Sequence, residues 1–273
     1  MNKSIKHVFH SFEFNESFCT KNAILSTKKY DPEILILGTF NPLTPKTNFA
    51  DFFYGRNYFW PAFHNLFNAG KLELKVTRMP KRGKPKSTPR PSLQEILILC
   101  EQLKLTFADL VLSVLHNDAD YKMLENDNIN LNGNEYNLIQ DSNKQGVGGL
   151  EQLNALGQLE WNTQNIIGYL IENTQIHSIY LTRKPTGIWA EQFHKIKGHK
   201  ELQNRSFTNL FTPSGQGKPV FNSMERLICH WLNNTNNNFG KLDANWARKN
   251  VKDYDKFQKA VCITSPKLNS ESQ

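Results

Sequence analysis

Three short stretches of the chain gather small, polar, uncharged side chains beside glycine and proline. They are Gly38-Thr39-Phe40-Asn41-Pro42-Leu43, Ser113 with acids nearby, and Thr212-Pro213-Ser214-Gly215-Gln216-Gly217-Lys218. Groups of this kind orient a water molecule and donate hydrogen bonds to a leaving group or a phosphate, without supplying a strong base. Taken singly, each also has a structural role: Gly and Pro turn the chain, Asn41 and Asn57 cap helices, and Ser214 begins a turn. Metal and thiol chemistry find no such support. The cysteines Cys19, Cys100, Cys229 and Cys262 contain no C-x-x-C pair, so they read as buried or incidental thiols, with no disulfide framework, zinc ribbon or iron–sulfur cluster. No metal and no cofactor are expected.

The elements that must position these stretches follow from periodicity. Ile34 to Leu37 is an apolar run closed by Gly38, the pattern of a central parallel strand feeding a loop. After an N-cap at Asn57, Tyr58, Phe59, Trp60, Phe63, Leu66 and Phe67 recur at helical spacing, and Gly70 stands as a C-terminal cap. Ser92-Leu93-Gln94-Glu95 is a capping box that opens a helix to about Lys104. Phe107 to Ser113 reads as the second strand, His177 to Thr182 as the third and Phe207 to Phe211 as the fourth. Helices are expected from Trp161, over Ile188 to Ile196, over Val220 to Leu232, and around Trp246 to Phe257. Strands alternating with helices imply a three-layer α/β/α fold around a central four-stranded parallel sheet, whose strand ends share one edge. The expected organisation is one α/β domain over residues 1–233, interrupted by a basic loop at 71–91 and an Asn-rich insertion at 126–149. Residues 234–273 form a linker and a helical extension.

Ile34 to Pro42, Phe52-Phe53-Tyr54-Gly55-Arg56-Asn57-Tyr58-Phe59-Trp60 and Thr212-Pro213-Ser214-Gly215 resemble the first, intermediate and last motifs of the uracil-DNA glycosylase superfamily. The opening His7-Val8-Phe9-His10-Ser11-Phe12-Glu13 is similar to the start of its hypoxanthine (deoxyinosine) branch, and Asp109 and Ser113 match an Asp and a Ser four apart in that branch. The mismatch-specific branch has an Asn-Pro pair where this chain has Asn41-Pro42. The resemblance implies a monofunctional DNA glycosylase in which Asn41 positions water and Asn57 assists catalysis. It further implies a base pocket from Phe40, Phe53, Tyr54, Asp109 and Ser113, and DNA contacts from Arg183, Lys184, Ser214, Gly215, Gln216 and Lys218. One departure matters. Where the most active uracil enzymes have Gln-Asp-Pro-Tyr, this chain has Thr39-Phe40-Asn41-Pro42, so the first motif offers no carboxylate to activate water.

Breaking a deoxyribose–base bond passes through an oxocarbenium-like sugar with charge building on the base, so oriented water and hydrogen-bond donors serve it. The target nucleotide must first leave the stack, at a cost of a few kcal/mol offset by aromatic and phosphate contacts. The substrate is uracil or hypoxanthine, or a bulkier modified base of foreign or phage DNA excised in defence. Two further readings use the same residues: a nucleic-acid-binding module of this fold without catalysis, and a small-molecule hydrolase that holds phosphate at its strand ends.

Charge points to the partner. The 273 residues carry 33 Lys and Arg against 25 Asp and Glu, a net charge of +8. Residues 71–91 concentrate this excess: Lys71, Lys75, Arg78, Lys81, Arg82, Lys84, Lys86 and Arg90 stand against Glu73 alone. An exposed loop of this kind suits a polyanion such as DNA. No apolar run approaches the roughly 20 residues that span a bilayer, and the amino terminus shows no secretory or lipidation signal, so a cytoplasmic monomer is expected. Replacing Lys81, Arg82, Lys84 and Lys86 with Ala should flatten the slope of log affinity against log salt by up to about four units, without altering which base is excised. Fluorescence anisotropy on a labelled duplex across a salt series measures the slope; an unchanged slope removes the loop from the interface.

Overall fold

The computed structural model describes residues 3–43, 53, 59–64, 66–67, 92–116, 139, 149–184, 186–211, 224–234 and 239–264. The basic loop, most of the Asn-rich insertion, Asn57, Tyr54 and the 212–218 loop lie outside the described residues. The chain is of mixed α/β class and divides into two compact units. The first comprises Met1–Phe49, Lys104–Leu181 and Pro185–Phe207, and the second Ala50–Leu103, Thr182–Lys184 and Thr208–Gln273.

Four strands open the chain, where no elements were expected: β1 (Lys3–Lys6), β2 (Ser11–Asn15), β3 (Phe18–Lys21) and β4 (Ile24–Thr27). β2, β3 and β4 form an antiparallel meander, with Lys21 paired to Ile24 across a two-residue turn. Asn22 and Ala23 both adopt left-handed φ of +52° in that turn. Such turns usually announce themselves as Asn-Gly; here Ala occupies the second position and hides the signal.

The expected central strand is β5 (Ile34–Gly38), buried at every position. Alternate side chains of a strand face opposite sides, so burial of Ile34, Leu35, Ile36 and Leu37 means that both faces are covered, each side chain contributing about 1.5–3 kcal/mol. The expected second strand is two strands. β6 (Leu105–Asp109) runs parallel to β5, with Gly38 opposite Asp109, whereas β7 (Val111–His116) leaves at Leu110 and pairs antiparallel with β1 and with β8 (Leu159–Trp161). The apolar residues run through the break without a change of pattern, because Leu110 and Val111 are buried as fully as the strands beside them.

The larger sheet has seven strands in the order β10-β9-β5-β6-β4-β3-β2, with β9 at Ser178–Leu181 and β10 at Ser206–Asn209. β5 is parallel to both β6 and β9, and β4 is antiparallel to β6. In place of the expected central four-stranded parallel sheet, the sheet is mixed, because the amino-terminal meander adds three strands beyond the parallel β9-β5-β6 set. On one face, α3 (Gly149–Ala155), α4 (Thr163–Glu172) and α5 (Gly187–Lys197) pack Leu150, Leu153, Ile166, Leu170, Trp189 and Phe193 with Leu35, Leu37, Ile179 and Leu181.

In the second unit the capping box forms as its sequence requires. Glu95 accepts from the Ser92 amide at 2.7 Å and the Ser92 hydroxyl accepts from the Glu95 amide at 3.3 Å, opening α2 (Leu93–Leu103). An aromatic cluster holds α1 (Phe59–His64) to α6 (Met224–Asn233): Phe59 stacks on Phe63 at 4.5 Å, and both meet the Trp231 ring edge-on. Beyond the linker, one expected helix is two, α7 (Ala244–Asn250) and α8 (Tyr254–Thr264), separated where Asp253 takes a φ of +53°. Asp243 caps α7, and Trp246 donates its indole N–H to the Leu103 carbonyl. Cys229 on α6 is disulfide-bonded, which corrects the reading of four thiols; Cys19 and Cys100 are free, and burial pushes the Cys100 thiol far above its usual range.

Gly168 sits in the middle of α4, and a Cβ placed on it meets no atom within 4 Å. A helix-interior glycine costs about 1 kcal/mol relative to alanine. Gly168→Ala should therefore raise the unfolding free energy by about 1 kcal/mol in urea titrations monitored by circular dichroism, and a loss of stability would show that the open space is needed.

Candidate active site at the carboxyl ends of the parallel strands

Gly38 ends β5 and Asp109 ends β6, and the segments that follow cross each other. The amides of Leu110 and Val111 donate to the carbonyls of Gly38 and Thr39 at 3.2 and 3.0 Å. Asn41 is then held by its own backbone, because the Val8 amide donates to its carbonyl at 2.7 Å, and Leu43 donates to the Lys6 carbonyl at 2.8 Å. The His7 amide donates to the Leu112 carbonyl at 2.9 Å. Three separate segments thus meet at one sheet edge, each fixed by main-chain bonds that do not depend on side-chain identity.

Three side chains converge there. His7 Nε2 and Asn41 Nδ2 each lie 2.7 Å from Asp109 Oδ2. The Phe9 amide donates to His7 Nδ1 at 2.9 Å, so Nδ1 carries no proton and the imidazole presents Nε2–H to the carboxylate. One carboxylate oxygen therefore accepts two bonds. The other, Oδ1, is buried and has no hydrogen-bond partner among the described residues. His7 and Asp109 are closed to solvent, whereas Asn41 is half-buried. The Phe40 ring, also half-buried, packs 6.0 Å from the His7 ring. Asn41 and Phe40 are thus the half-buried members of the cluster, and His7 and Asp109 the buried ones.

Polar groups continue along the neighbouring rung of the smaller sheet, where Lys6 pairs with Ser113 and Ser113 with Glu160. The Ser113 hydroxyl donates to Glu160 Oε2 at 2.5 Å. His10 feels Lys6, Glu160 and His7 electrostatically; burial, then the Lys6 ammonium, hold it below the usual histidine value.

Of the residues expected in a site, the structure brings Asn41 and Asp109 into direct contact and sets Phe40 beside them. Ser113 lies on β7 with its hydroxyl engaged by Glu160. Phe53 belongs to the second unit, where it is buried at a φ of +48°. Arg183 is half-buried and accepts an Asn209 amide bond on its carbonyl, and Lys184 is exposed. Asn57, Tyr54, Lys81, Arg82, Lys84, Lys86, Ser214, Gly215, Gln216 and Lys218 lie outside the described residues. His7 was noted only within a motif. Its role as carboxylate partner has no signal in sequence spacing, since it lies 102 residues from Asp109.

Removing the acceptor takes away one bond from the buried His7 ring and one from the half-buried Asn41 amide, and the loss at a buried donor costs about 1–3 kcal/mol. Asp109→Ala should therefore lower the unfolding free energy by about 1–3 kcal/mol and abolish the slowly exchanging His7 Nε2–H resonance that the wild type should show in proton NMR; a persistent resonance would break the assigned bond. Comparison with known proteins adds no constraint: no family model, no curated protein and no solved structure matches the chain.

Proposed function

We propose that the protein is a monofunctional DNA glycosylase, which rotates a damaged or modified base out of DNA and hydrolyses its N-glycosidic bond to leave an abasic site. The observation that carries this reading is the Asp109 carboxylate, buried against Asn41 and His7 at the carboxyl ends of β5 and β6, with one oxygen that has no hydrogen-bond partner among the described residues. It supplies the carboxylate that the first motif lacks. The strand order β10-β9-β5-β6, with β5 parallel to both neighbours, supports reading these four strands as the parallel core expected from the motif resemblance.

The chemistry divides between two groups. Asn41, its amide nitrogen engaged by Asp109, offers its carbonyl oxygen to a water hydrogen and so sets the direction of attack. As the C1′–N bond lengthens, the Asp109 carboxylate stabilises the positive sugar. Water oxygen then bonds to C1′, the bonding electrons leave with the base, and the water proton passes to Asp109 Oδ1 and on to solvent or the base. His7 orients the carboxylate through its Nε2–H. No lysine is needed for a covalent intermediate, which is why strand cleavage is not part of the reaction.

Incubation with DNAs containing uracil, hypoxanthine or larger modified bases, followed by mass spectrometry, should detect a free base and an alkali-labile abasic site. Borohydride should trap no protein–DNA adduct. Asn41→Ala and Asp109→Asn should each lower turnover by about a hundredfold or more, with duplex affinity little changed. Binding without release from any of these DNAs would turn the reading to a nucleic-acid-binding module, and activity that falls only with folded fraction would assign both residues a structural role.

A further inference from the structure

Asn162 is the N-cap residue of α4. Asparagine in that place ordinarily accepts a bond from an amide of the first helical turn, yet here the side chain makes no capping bond. It is fully buried and spends its amide elsewhere. Its Nδ2 donates to the Asn22 carbonyl at 2.7 Å and to the Asp109 carbonyl at 3.0 Å, and its Oδ1 accepts from Asn165 Nδ2 at 3.0 Å. Asn165 Oδ1 in turn accepts from Asn22 Nδ2 at 3.1 Å, so three amides close a circuit onto the tip of the β3–β4 hairpin.

The hairpin tip reaches the same residue by a second route. The Asp109 amide donates to the Ala23 carbonyl at 3.4 Å, and the Ala23 amide donates to the His10 carbonyl at 3.3 Å. Both main-chain polar groups of Asp109 thus end on Asn162 or on the hairpin tip. This is where support is needed, because Asp109 is the last residue of β6 and the next residue leaves the larger sheet. Two local costs meet here, a forgone helix cap and an alanine at φ +52°, and both serve the backbone of one carboxylate.

We infer that Asn162 is the positioning residue of the Asp109 carboxylate, locking its backbone to the hairpin tip so that Oδ2 stays within reach of His7 and Asn41. The inference rests on the hydrolytic role proposed for Asp109. Asn162 touches neither water nor substrate; it acts by holding the strand end that carries the acid.

Asn162→Ser keeps a small polar side chain while removing both donors to Asn22 and Asp109, so kinetics read at its measured folded fraction separate positioning from folding. In full-length protein the substitution should lower the thermal midpoint, because two carbonyls lose their donor, and leave KM for a base-containing duplex unchanged, with kcat per folded molecule reduced at least tenfold. The His7 Nε2–H resonance should shift and exchange faster with water. Asn165→Ala, which removes the donor to Asn162 Oδ1 and the acceptor of Asn22 Nδ2 but leaves both Asn162 donors in place, should move both readouts in the same direction by less. Should Asn162→Ser fail to fold, Asn165→Ala carries the test alone. An unchanged His7 resonance in a folded variant would overturn the inference, as would loss of activity that tracks only the folded fraction. If the wild type releases no base, the proposed function falls, while the His7 resonance still decides whether Asn162 holds Asp109.

Discussion

A carboxylate closed to water must be matched by donors, and the candidate site is organised around that requirement at Asp109. Transferring an ionised group into the protein interior is unfavourable by several kcal/mol unless bonds replace its hydration. His7 Nε2–H and Asn41 Nδ2–H replace it on one oxygen, at 2.7 Å each. Each donor has its own support: the Phe9 amide sets the tautomer of His7, and the Val8 amide holds the backbone of Asn41. The remaining oxygen, Oδ1, is buried and has no hydrogen-bond partner among the described residues, and it is the lone pair that the proposed hydrolysis would use.

The fold delivers these groups by an economy of main-chain bonds. Parallel pairing of β5 with β6 brings Gly38 opposite Asp109, so the two strands end together and their continuations cross. The break at Leu110 then sends the chain into the smaller sheet, where β7 pairs with β1 and brings His7 back over Pro42. A single continuous strand from Leu105 to His116 would leave no room for this return. The split that the apolar pattern concealed is therefore the feature that closes the site.

Cost is visible in the surroundings. Asn22 and Ala23 sit in left-handed backbone, Asn162 leaves its helix uncapped, and a buried acid lies at a strand end. Departures of this kind cluster at functional sites, though Phe53, Lys104 and Asp253 also take left-handed φ away from Asp109. Elsewhere the capping box forms, Asp243 caps α7, and the helix stripes of α4 and α6 face inward.

What the chain could declare by itself was whatever depends on neighbours in sequence. The apolar run of β5, the Ser92–Glu95 box of α2, β9 and the stripe of α5 are set by periodicity and by bonds spanning three or four residues, so their existence and type were legible. Asn41 and Asp109 were legible as candidates through motif resemblance, though not as partners. The amino-terminal meander escaped because its turn carries alanine in place of glycine, and the division of β6 from β7 escaped because buried strands of either sheet read alike. Only tertiary structure decided that His7, Asn41 and Asp109 form one cluster, and that Asn162 turns from its helix to hold it. Their separations of 102 and 68 residues to Asp109 leave no local trace, since a hydrogen bond between distant segments exists only after the sheets have brought the backbones together.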